Sequence, residues 1–262
     1  MGKSKVSVET NEHVFIIKLN RPEKMNAFDL DMYRDLGLAY GELHRNPDLR
    51  CGLLAAEGEH FTSGLDLVAW APHFTEGCFP ELPAEAICPL GLNAEKRLCK
   101  PVVMAPQGLC LTIGLELLLA TDIRVAAADT RFAQIEIKRG IYPVGGATVR
   151  LMQEVGWGNA MRYLLTADEI SAQEALRLGL VQELTAPGKQ IERAFEIATT
   201  ISRQAPLGVQ ATLASARLTR ARGEEAALAR LLPDLVPIME SEDLKEGVQS
   251  FIERREAQFK GR

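Results

Sequence analysis

Glu116 is the residue whose surroundings most strongly suggest chemistry. It is the only charged residue in the run Gly108–Ala120. A carboxylate among apolar neighbours is costly unless it is paired or protonated, and this cost favours a functional role. The alternative is that Glu116 occupies the one exposed position of a helix, where it interacts with the helix N-terminus.

Glu136 is a second candidate carboxylate, in the segment Phe132–Gly140. It presents the same choice between a functional and a structural role, because Lys138 and Arg139 are near enough in sequence to form a salt bridge with it. Taken alone, Glu136 is a weak indication of chemistry.

Two turns provide groups that can act on a substrate oxygen. The segments Phe61–Leu67 and Gly108–Ala120 both have the pattern of a strand-to-helix turn with exposed backbone N–H groups. Such groups can converge on one oxygen atom, and the second turn leads into a helix N-terminus, where the dipole favours developing negative charge. This layout predicts an oxyanion hole.

The other common catalytic templates do not fit this sequence. The four histidines show no pair at metal-ligand spacing, so we expect no catalytic metal. Ser63 lacks the glycine two residues earlier that a nucleophile elbow needs, and Gly145–Gly146 forms neither a phosphate loop nor a dinucleotide fingerprint. The histidines are His13, His44, His60 and His73.

Length, composition and charge restrict the class of protein. The 262 residues are 47% hydrophobic and 25% charged, which suits one large domain or a main domain with a smaller appendage. With 30 Lys and Arg against 35 Asp and Glu, the net charge is −5 at pH 7. Because nucleic-acid binding usually needs a basic surface, we expect no nucleic-acid partner.

The N-terminus, the hydropathy and the cysteines together predict a cytoplasmic protein. Residues Met1–Val6 lack the apolar core of a signal peptide, and no apolar run approaches the ~18 residues of a membrane span. The five cysteines form no C-x-x-C pair, and their odd, scattered distribution fits thiols in a reducing compartment. We expect no membrane contact.

The elements that must position these groups alternate between strand and helix. The segment Val6–Asn20 predicts a hairpin, and the helix after it is predicted to end at Asn46–Pro47. Three β-like runs then recur, each followed by a turn and a helical pattern. Continuous apolar strands with helices between them predict an α/β architecture. The runs are Cys51–Ala56, Val102–Ala105 and Ile123–Ala127.

Two later regions depart from this alternation. The segment Ala71–Pro89 contains four prolines between aromatic and acidic residues, and we expect a mobile loop at the rim of a pocket. Ser171–Glu174 has the spacing of a capping box, and the β-like Leu180–Val181 follows it. Beyond Gly188 the pattern is almost entirely helical, with a last helix predicted over Asp243–Lys260.

An ordered series of short motifs runs along almost the whole chain. They are Leu19–Pro22 with Asn26–Ala27, Phe61–Leu67, Gly108–Asp122, Phe132–Glu136 with Gly140 and Pro143, Leu165–Ala167 with Ile170–Ala172 and Ala175, and Gly247–Phe259. Any one of these motifs is unspecific, but their order is distinctive. In this series the chain resembles the crotonase family of enoyl-CoA hydratases and isomerases, and within it the enoyl-CoA hydratases.

The resemblance implies a fold and a domain organisation. The fold is an α/β spiral of β-β-α turns, followed by a C-terminal helical region that builds trimers, which usually pair into hexamers. Residues 1–197 would form the spiral core that binds acyl-CoA, and residues 198–262 would form the oligomerisation region. We therefore expect a homotrimer or a homohexamer.

The resemblance also implies roles for the candidate residues. The backbone N–H groups of Leu65 and Ile113 would hold the thioester oxygen of an acyl-CoA. Glu116 matches the glutamate that activates water, and Glu136 matches the one that exchanges a proton with C2. Family members that catalyse other reactions often lack one of these carboxylates, so the presence of both favours hydration of a 2-enoyl-CoA to a 3-hydroxyacyl-CoA.

Coenzyme A would bind as part of the substrate, and the resemblance implies no separate cofactor and no metal. Its adenine and pantetheine portions are expected along two segments, which contact them mainly through the backbone. The residues assigned to this contact are Lys24, Met25, Ala27, Ser63, Asp66 and Leu67.

Two departures from the hydratase pattern leave alternatives open. Thr112–Ile113 stands where hydratases commonly have consecutive glycines, and a β-branched residue adopts fewer backbone conformations than glycine. Leu65 replaces a small residue and narrows the pocket. The first alternative is another reaction of the same enolate, either isomerisation or hydrolysis of a C–C or thioester bond. The second is a binding protein that has kept the fold without turnover.

Overall fold

A computed structural model describes residues 4–93 and 96–262 of the chain. Residues 1–3 and 94–95 of the predicted core domain lie outside this described part. The strands are β1 (Val6–Asn11), β2 (Val14–Leu19), β3 (Cys51–Ala56), β4 (Val102–Met104), β5 (Leu109–Leu111), β6 (Ile123–Ala127), β7 (Arg131–Ala133), β8 (Ile170–Ser171) and β9 (Glu183–Thr185).

Helices make up most of the remaining regular structure. They are α1 (Leu30–Arg45), α2 (Leu67–Thr75), α3 (Ile113–Ala120), α4 (Ala147–Val155), α5 (Trp157–Thr166), α6 (Ala172–Arg177), α7 (Gln190–Ser202), α8 (Pro206–Arg222), α9 (Glu224–Leu228), α10 (Leu231–Met239) and α11 (Glu242–Glu253). Short 3-10 helices cover Pro22–Lys24 and Glu136–Arg139.

The larger sheet confirms the predicted α/β architecture. Its strands lie in the order β1-β2-β3-β4-β6-β9. β1 and β2 form the predicted antiparallel hairpin, and all the other neighbours are parallel. Parallel neighbours need long crossover connections, and α1 and α3 lie in two of them.

Both faces of the central part of this sheet are covered, which explains why β3 and β4 are apolar throughout. β3 is buried at every position, and its adjacent residues Leu53 and Leu54 belong to cores on opposite sides of the sheet. Ala194 and Ala198 of α7 cover the side of Leu53. The main core on the other side includes residues of α1, α3, α4 and α5. The predicted domain boundary at 197/198 thus lies within α7, and the division into two domains stays a prediction.

A smaller sheet brings the two predicted oxyanion segments together. β5 pairs in parallel with β7, and β7 pairs antiparallel with β8. Thr62 bridges to Cys110 of β5, because its N–H donates to Leu109 O at 2.9 Å and its carbonyl accepts from Leu111 N–H at 3.1 Å. The turn 61–65 therefore lies directly beside the strand that leads into α3.

The N-cap that the capping-box spacing predicts is confirmed, whereas the Glu174 carboxylate accepts from Tyr163 and Arg177 instead of from Ser171 N–H. The strand predicted after this helix start is wrong. Ser171 Oγ accepts a hydrogen bond from Glu174 N–H at 3.2 Å at the start of α6. Leu180 and Val181 form a bend rather than a strand, and β9 starts only at Glu183. Both apolar side chains are fully buried in the main core, so their β-like composition reflects burial and not strand pairing.

The last helix is also shorter than predicted, since α11 ends at Glu253 and not at Lys260. Arg254 adopts a left-handed conformation with φ +55, which ends the helix. The tail then folds back, and Asp243 accepts hydrogen bonds from Lys260 N–H at 2.6 Å and from Gly261 N–H at 2.8 Å.

The expected loop Ala71–Pro89 is partly helical, so the prediction is wrong over residues 71–75. α2 continues through Pro72 to Thr75. Packing of aromatic rings stabilises this helix: Trp70 lies 5.7 Å from Phe74 and 6.0 Å from Phe79, measured between ring centroids. These contacts outweigh the local helix-breaking signal of the proline.

Candidate active site

Glu116 is buried in the first turn of α3. The helix is apolar apart from this glutamate, and it is buried from Ile113 to Leu119. Only 3% of Glu116 is exposed, and its Oε1 accepts a hydrogen bond from Ala147 N–H at 3.2 Å. The alternative in which Glu116 is an exposed helix position is therefore wrong.

Gly145 forms the wall against this carboxyl group. A Cβ atom at Gly145 would lie 2.3 Å from Glu116 Oε2 and 2.7 Å from its Cδ, so the close approach requires glycine. The Gly145–Gly146 pair fits no sequence motif, and its role becomes evident only in the fold. The pair lets the start of α4 reach a carboxyl group 31 residues earlier in the chain.

Glu136 is the first residue of the second 3-10 helix, which Gly140 caps. It is 8% exposed, and its Oε2 is buried without a hydrogen-bond partner among the described residues. Lys138 and Arg139 are exposed, and no ion pair found in the described chain includes Glu136. The salt-bridge alternative is therefore not supported, and an unpaired buried carboxyl oxygen calls for another explanation.

Burial raises the pKa of both carboxyl groups from their ordinary value of 4.5. The pKa of Glu116 rises to about 8, and the pKa of Glu136 rises to about 7. The N–H of Ala147 opposes the effect of burial at Glu116, while the nearby charge of Glu136 adds to it. Both carboxyl groups can therefore hold or release a proton near neutral pH, so the pair can supply the base and the acid that addition of water needs.

These raised pKa values predict how stability depends on pH. A carboxyl group with a higher pKa in the folded state binds its proton more tightly there, so its unfavourable effect on folding grows as the pH rises from about 4.5 to about 8. We expect Glu116→Gln to stabilise the protein, relative to wild type, by on the order of 3 kcal/mol more at pH 9 than at pH 5. Urea unfolding of both proteins across this range measures the difference, and parallel pH profiles would contradict the burial effect.

The backbone N–H of Leu65 is directed away from Phe28, the residue that pairs with Leu65. Phe28 forms a parallel bridge to Leu65. In this bridge Phe28 N–H donates to Gly64 O at 2.9 Å, and Asp66 N–H donates to Phe28 O at 2.8 Å. The N–H of Leu65 itself takes no part in the bridge, and it remains available to an acceptor on the other side.

Ile113 offers the matching donor, because it is the first residue of α3. The first N–H groups of a helix have no acceptor within it. Gly64 and Thr112, which precede the two donor residues, are in contact: a Cβ on Gly64 would lie 2.4 Å from Thr112 Oγ1. The residues that precede the two donors are thus in contact, and the convergence of the two N–H groups on one oxygen stays a prediction.

Backbone strain lies at Thr112 and not at Ile113. Ile113 is helical and buried, so its β-branched side chain fits the backbone there. Thr112 has φ +48 and ψ −112, a conformation that β-branched residues rarely adopt, and its Oγ1 is buried without a partner among the described residues. The conformational constraint that the sequence suggests for Thr112–Ile113 therefore applies to Thr112.

The predicted CoA-binding residues lie on two adjacent surface segments. Ser63 N–H donates to Met25 O at 3.0 Å, which joins the segment 24–27 to the segment 63–67 next to the Leu65 donor. Buried Asn26 holds the first segment in place, since its Nδ2 donates to the carbonyl oxygens of Glu57 and His60 at 2.8 Å. Lys24, Met25 and Leu67 are exposed, whereas Ala27, Ser63 and Asp66 are half-buried.

An apolar cavity of about 440 Å³ adjoins the loop 140–146, which connects the helix of Glu136 to the wall of Glu116. Ile141, Tyr142 and Val144 of this loop line one side of the cavity. Phe74 and Phe79, from α2 and the segment after it, line the other. The predicted pocket rim within 71–89 therefore does border a pocket.

The chain is similar to known proteins over nearly its whole length. The sequence model of the family described as Enoyl-CoA hydratase/isomerase matches residues 9–262. The chain belongs to this family. It is 34% identical to enoyl-CoA hydratase EchA19 of Mycobacterium tuberculosis, over 97% of this chain and 96% of that protein. It is 32% identical to (E)-benzylidenesuccinyl-CoA hydratase of Thauera aromatica, over 98% of this chain and 99% of that protein.

A solved structure of the enoyl-CoA hydratase/isomerase family confirms the predicted fold. The crystal structure of a probable enoyl-CoA hydratase/isomerase from Mycobacterium abscessus superposes with a TM-score of 0.95 and is 46% identical, covering 98% of this chain and 99% of that one. The α/β crotonase-type fold with its C-terminal helices is therefore correct. Among the described residues, no helix is long and apolar enough to cross a membrane.

Proposed function

We propose that this member of the enoyl-CoA hydratase/isomerase family adds water to the C2–C3 double bond of a 2-enoyl-CoA, giving a 3-hydroxyacyl-CoA. One observation carries the proposal: two buried carboxyl groups, Glu116 and Glu136, lie near one another, and burial raises the pKa of both. Addition of water requires one group to take a proton and another to give one.

The proposed mechanism uses an enolate. Glu116 takes a proton from water as the water oxygen bonds to C3, and the electron pair of the double bond moves toward the thioester. The resulting negative oxygen accepts hydrogen bonds from the N–H groups of Leu65 and Ile113, each contributing about 3 kcal/mol of transition-state stabilisation. Glu136 then gives a proton to C2, which completes the 3-hydroxyacyl product.

Burial raises the pKa of both carboxyl groups toward neutral pH, so either group can hold the proton there. Hydration needs Glu116 ionised and Glu136 protonated. The reverse reaction needs the opposite arrangement, in which Glu136 removes the C2 proton while Glu116 protonates the departing hydroxyl.

Coenzyme A is proposed to bind along the segments 24–27 and 63–67, and the mechanism calls for no cofactor or metal. Lys24, Met25, Ala27, Ser63, Asp66 and Leu67 stay the proposed contact residues. A cytoplasmic location is proposed as well, and the five cysteines, all unpaired, support it.

An absorbance assay with a panel of 2-enoyl-CoA esters tests this function. The panel runs from crotonyl to long-chain esters, and it includes an aryl ester because one relative is named for such a substrate. We expect the conjugated thioester band to disappear and mass spectrometry to find a product heavier by one water. A product of unchanged mass would instead indicate isomerisation, free CoA would indicate thioester hydrolysis, and binding without turnover would indicate a binding protein.

The apolar cavity is proposed to hold the acyl chain beyond C3. Val144→Trp would fill it with a large ring while leaving both glutamates in place. We expect kcat/KM for long-chain esters to fall about tenfold or more, with a smaller change for crotonyl-CoA. Val149→Trp, at an exposed position of α4 outside the cavity, is the matched control. An equal loss for all chain lengths would show that the cavity does not hold the chain.

The region 198–262 is proposed to form the trimer interface, because its helices expose many large apolar side chains. We expect light scattering to show a homotrimer or homohexamer and the double variant Leu232→Asp/Val236→Asp to be monomeric. Val8→Asp, at an exposed position of β1, is the control. A monomeric wild type would contradict the proposal. The exposed large apolar residues of α10 and α11 are Leu231, Leu232, Leu235, Val236, Met239, Val248, Phe251 and Ile252.

A further inference from the structure

Three potential metal ligands meet at the C-terminal end of α2. One ligand atom each from His73, Glu76 and Cys78 lies within 4.8 Å of the other two. Gly77 has φ +72, and it turns the chain back so that Cys78 N–H donates to His73 O at 3.0 Å. The backbone of the helix end therefore holds the three side chains on one side.

The chemistry of this set suits a thiophilic divalent cation. An imidazole nitrogen, a carboxylate oxygen and a thiolate sulfur are the ligands that zinc uses, and three of them leave one position for water. Tetrahedral ligands at about 2.0–2.3 Å from zinc are separated by roughly 3.3–3.8 Å. Since Glu76 and Cys78 are exposed, their side chains can turn inward by the small distance that this requires.

The local charge also favours a cation. The C-terminal end of a helix carries partial negative charge on its last carbonyl groups. Glu81 borders the same cavity of about 500 Å³ as the three ligands, and Asp31, which also borders it, is paired with Lys5 at 3.0 Å. Arg34, the basic residue at this cavity, is already paired with Asp31 at 2.9 Å and with Asp35 at 3.0 Å.

We infer that His73, Glu76 and Cys78 form a binding site for Zn²⁺ or a similar thiophilic divalent ion. The site lies outside the proposed acid–base machinery and does not depend on the proposed function. Cys78 and the adjacent Phe79 also line the apolar cavity, so a bound ion ties the end of α2 to the rim of that cavity. The spacing of the histidines alone does not reveal this set, because a carboxylate and a thiol supply the other ligands.

Titration of the reduced, metal-free, full-length protein with Co²⁺ tests the site. We expect a thiolate-to-cobalt charge-transfer band in the near ultraviolet that saturates at one ion per chain and is displaced by Zn²⁺. Cys78→Ser should abolish the band, and His73→Gln should weaken Zn²⁺ binding by at least about tenfold, measured by competition with a chromophoric chelator.

Cys99→Ser is the matched control, because Cys99 is only half-buried and lies outside the cluster. This variant should keep the band unchanged. A wild type without the band, or a band that persists in Cys78→Ser, would overturn the inference. Cys78 is exposed, so its substitution should not disturb the fold. Circular dichroism of all three variants should therefore match that of the wild type.

Discussion

Glu116→Gln and Glu136→Gln should each lower kcat by about 10²–10⁴ while the protein remains folded. Glutamine has nearly the shape of a protonated glutamate, and both sites are apolar and buried, so the neutral amide fits. It cannot take or give the proton that addition of water requires. Steady-state rates with the best enoyl-CoA ester, together with thermal unfolding, measure both parts of this expectation.

The two glutamates can also be told apart. If Glu136 exchanges a proton with C2, Glu136→Gln should stop exchange of the C2 hydrogen of a saturated acyl-CoA with deuterated water, whereas Glu116→Gln should retain it. Glu192→Gln, at an exposed position of α7, is the control and should not change either rate. A variant that keeps its rate within a few-fold of wild type would show that the role assigned to that glutamate is wrong.

Gly145→Ala should reduce kcat by about 10²-fold, although it removes no catalytic group. The added Cβ would lie 2.3 Å from Glu116 Oε2, which no unstrained structure allows, so the carboxyl group must move. A displacement of about 1 Å in an active site can cost a factor of this size. The backbone at Gly145 does not have a positive φ, so the steric contact alone is being tested.

Gly158→Ala provides the matched control, because a Cβ at this position of α5 meets no atom within 4 Å. We expect it to keep full activity and to be slightly more stable, as alanine favours helix over glycine. Full activity of Gly145→Ala would mean that Glu116 does not depend on its observed position. Unfolding of Gly145→Ala would be detected by circular dichroism.

Elements whose signal is local were predictable from the sequence. The helix that ends before Asn46–Pro47 and the continuous apolar strand Cys51–Ala56 lie where the pattern predicts them. The prediction failed where distant residues decide the outcome. α2 continues past Pro72 because Phe79 packs on Trp70, and Leu180–Val181 is apolar because it enters the core, not because it pairs as a strand.

The family, the α/β architecture and the unusual character of the two glutamates could all be inferred from residue types, their spacing and their order, which the chain carries before it folds. The burial of Glu116, its close approach to Gly145 and the strain at Thr112 became evident only in the folded protein. A pKa shift or a steric contact depends on atoms that folding brings together, and the N–H group that meets Glu116 is 31 residues away in the chain.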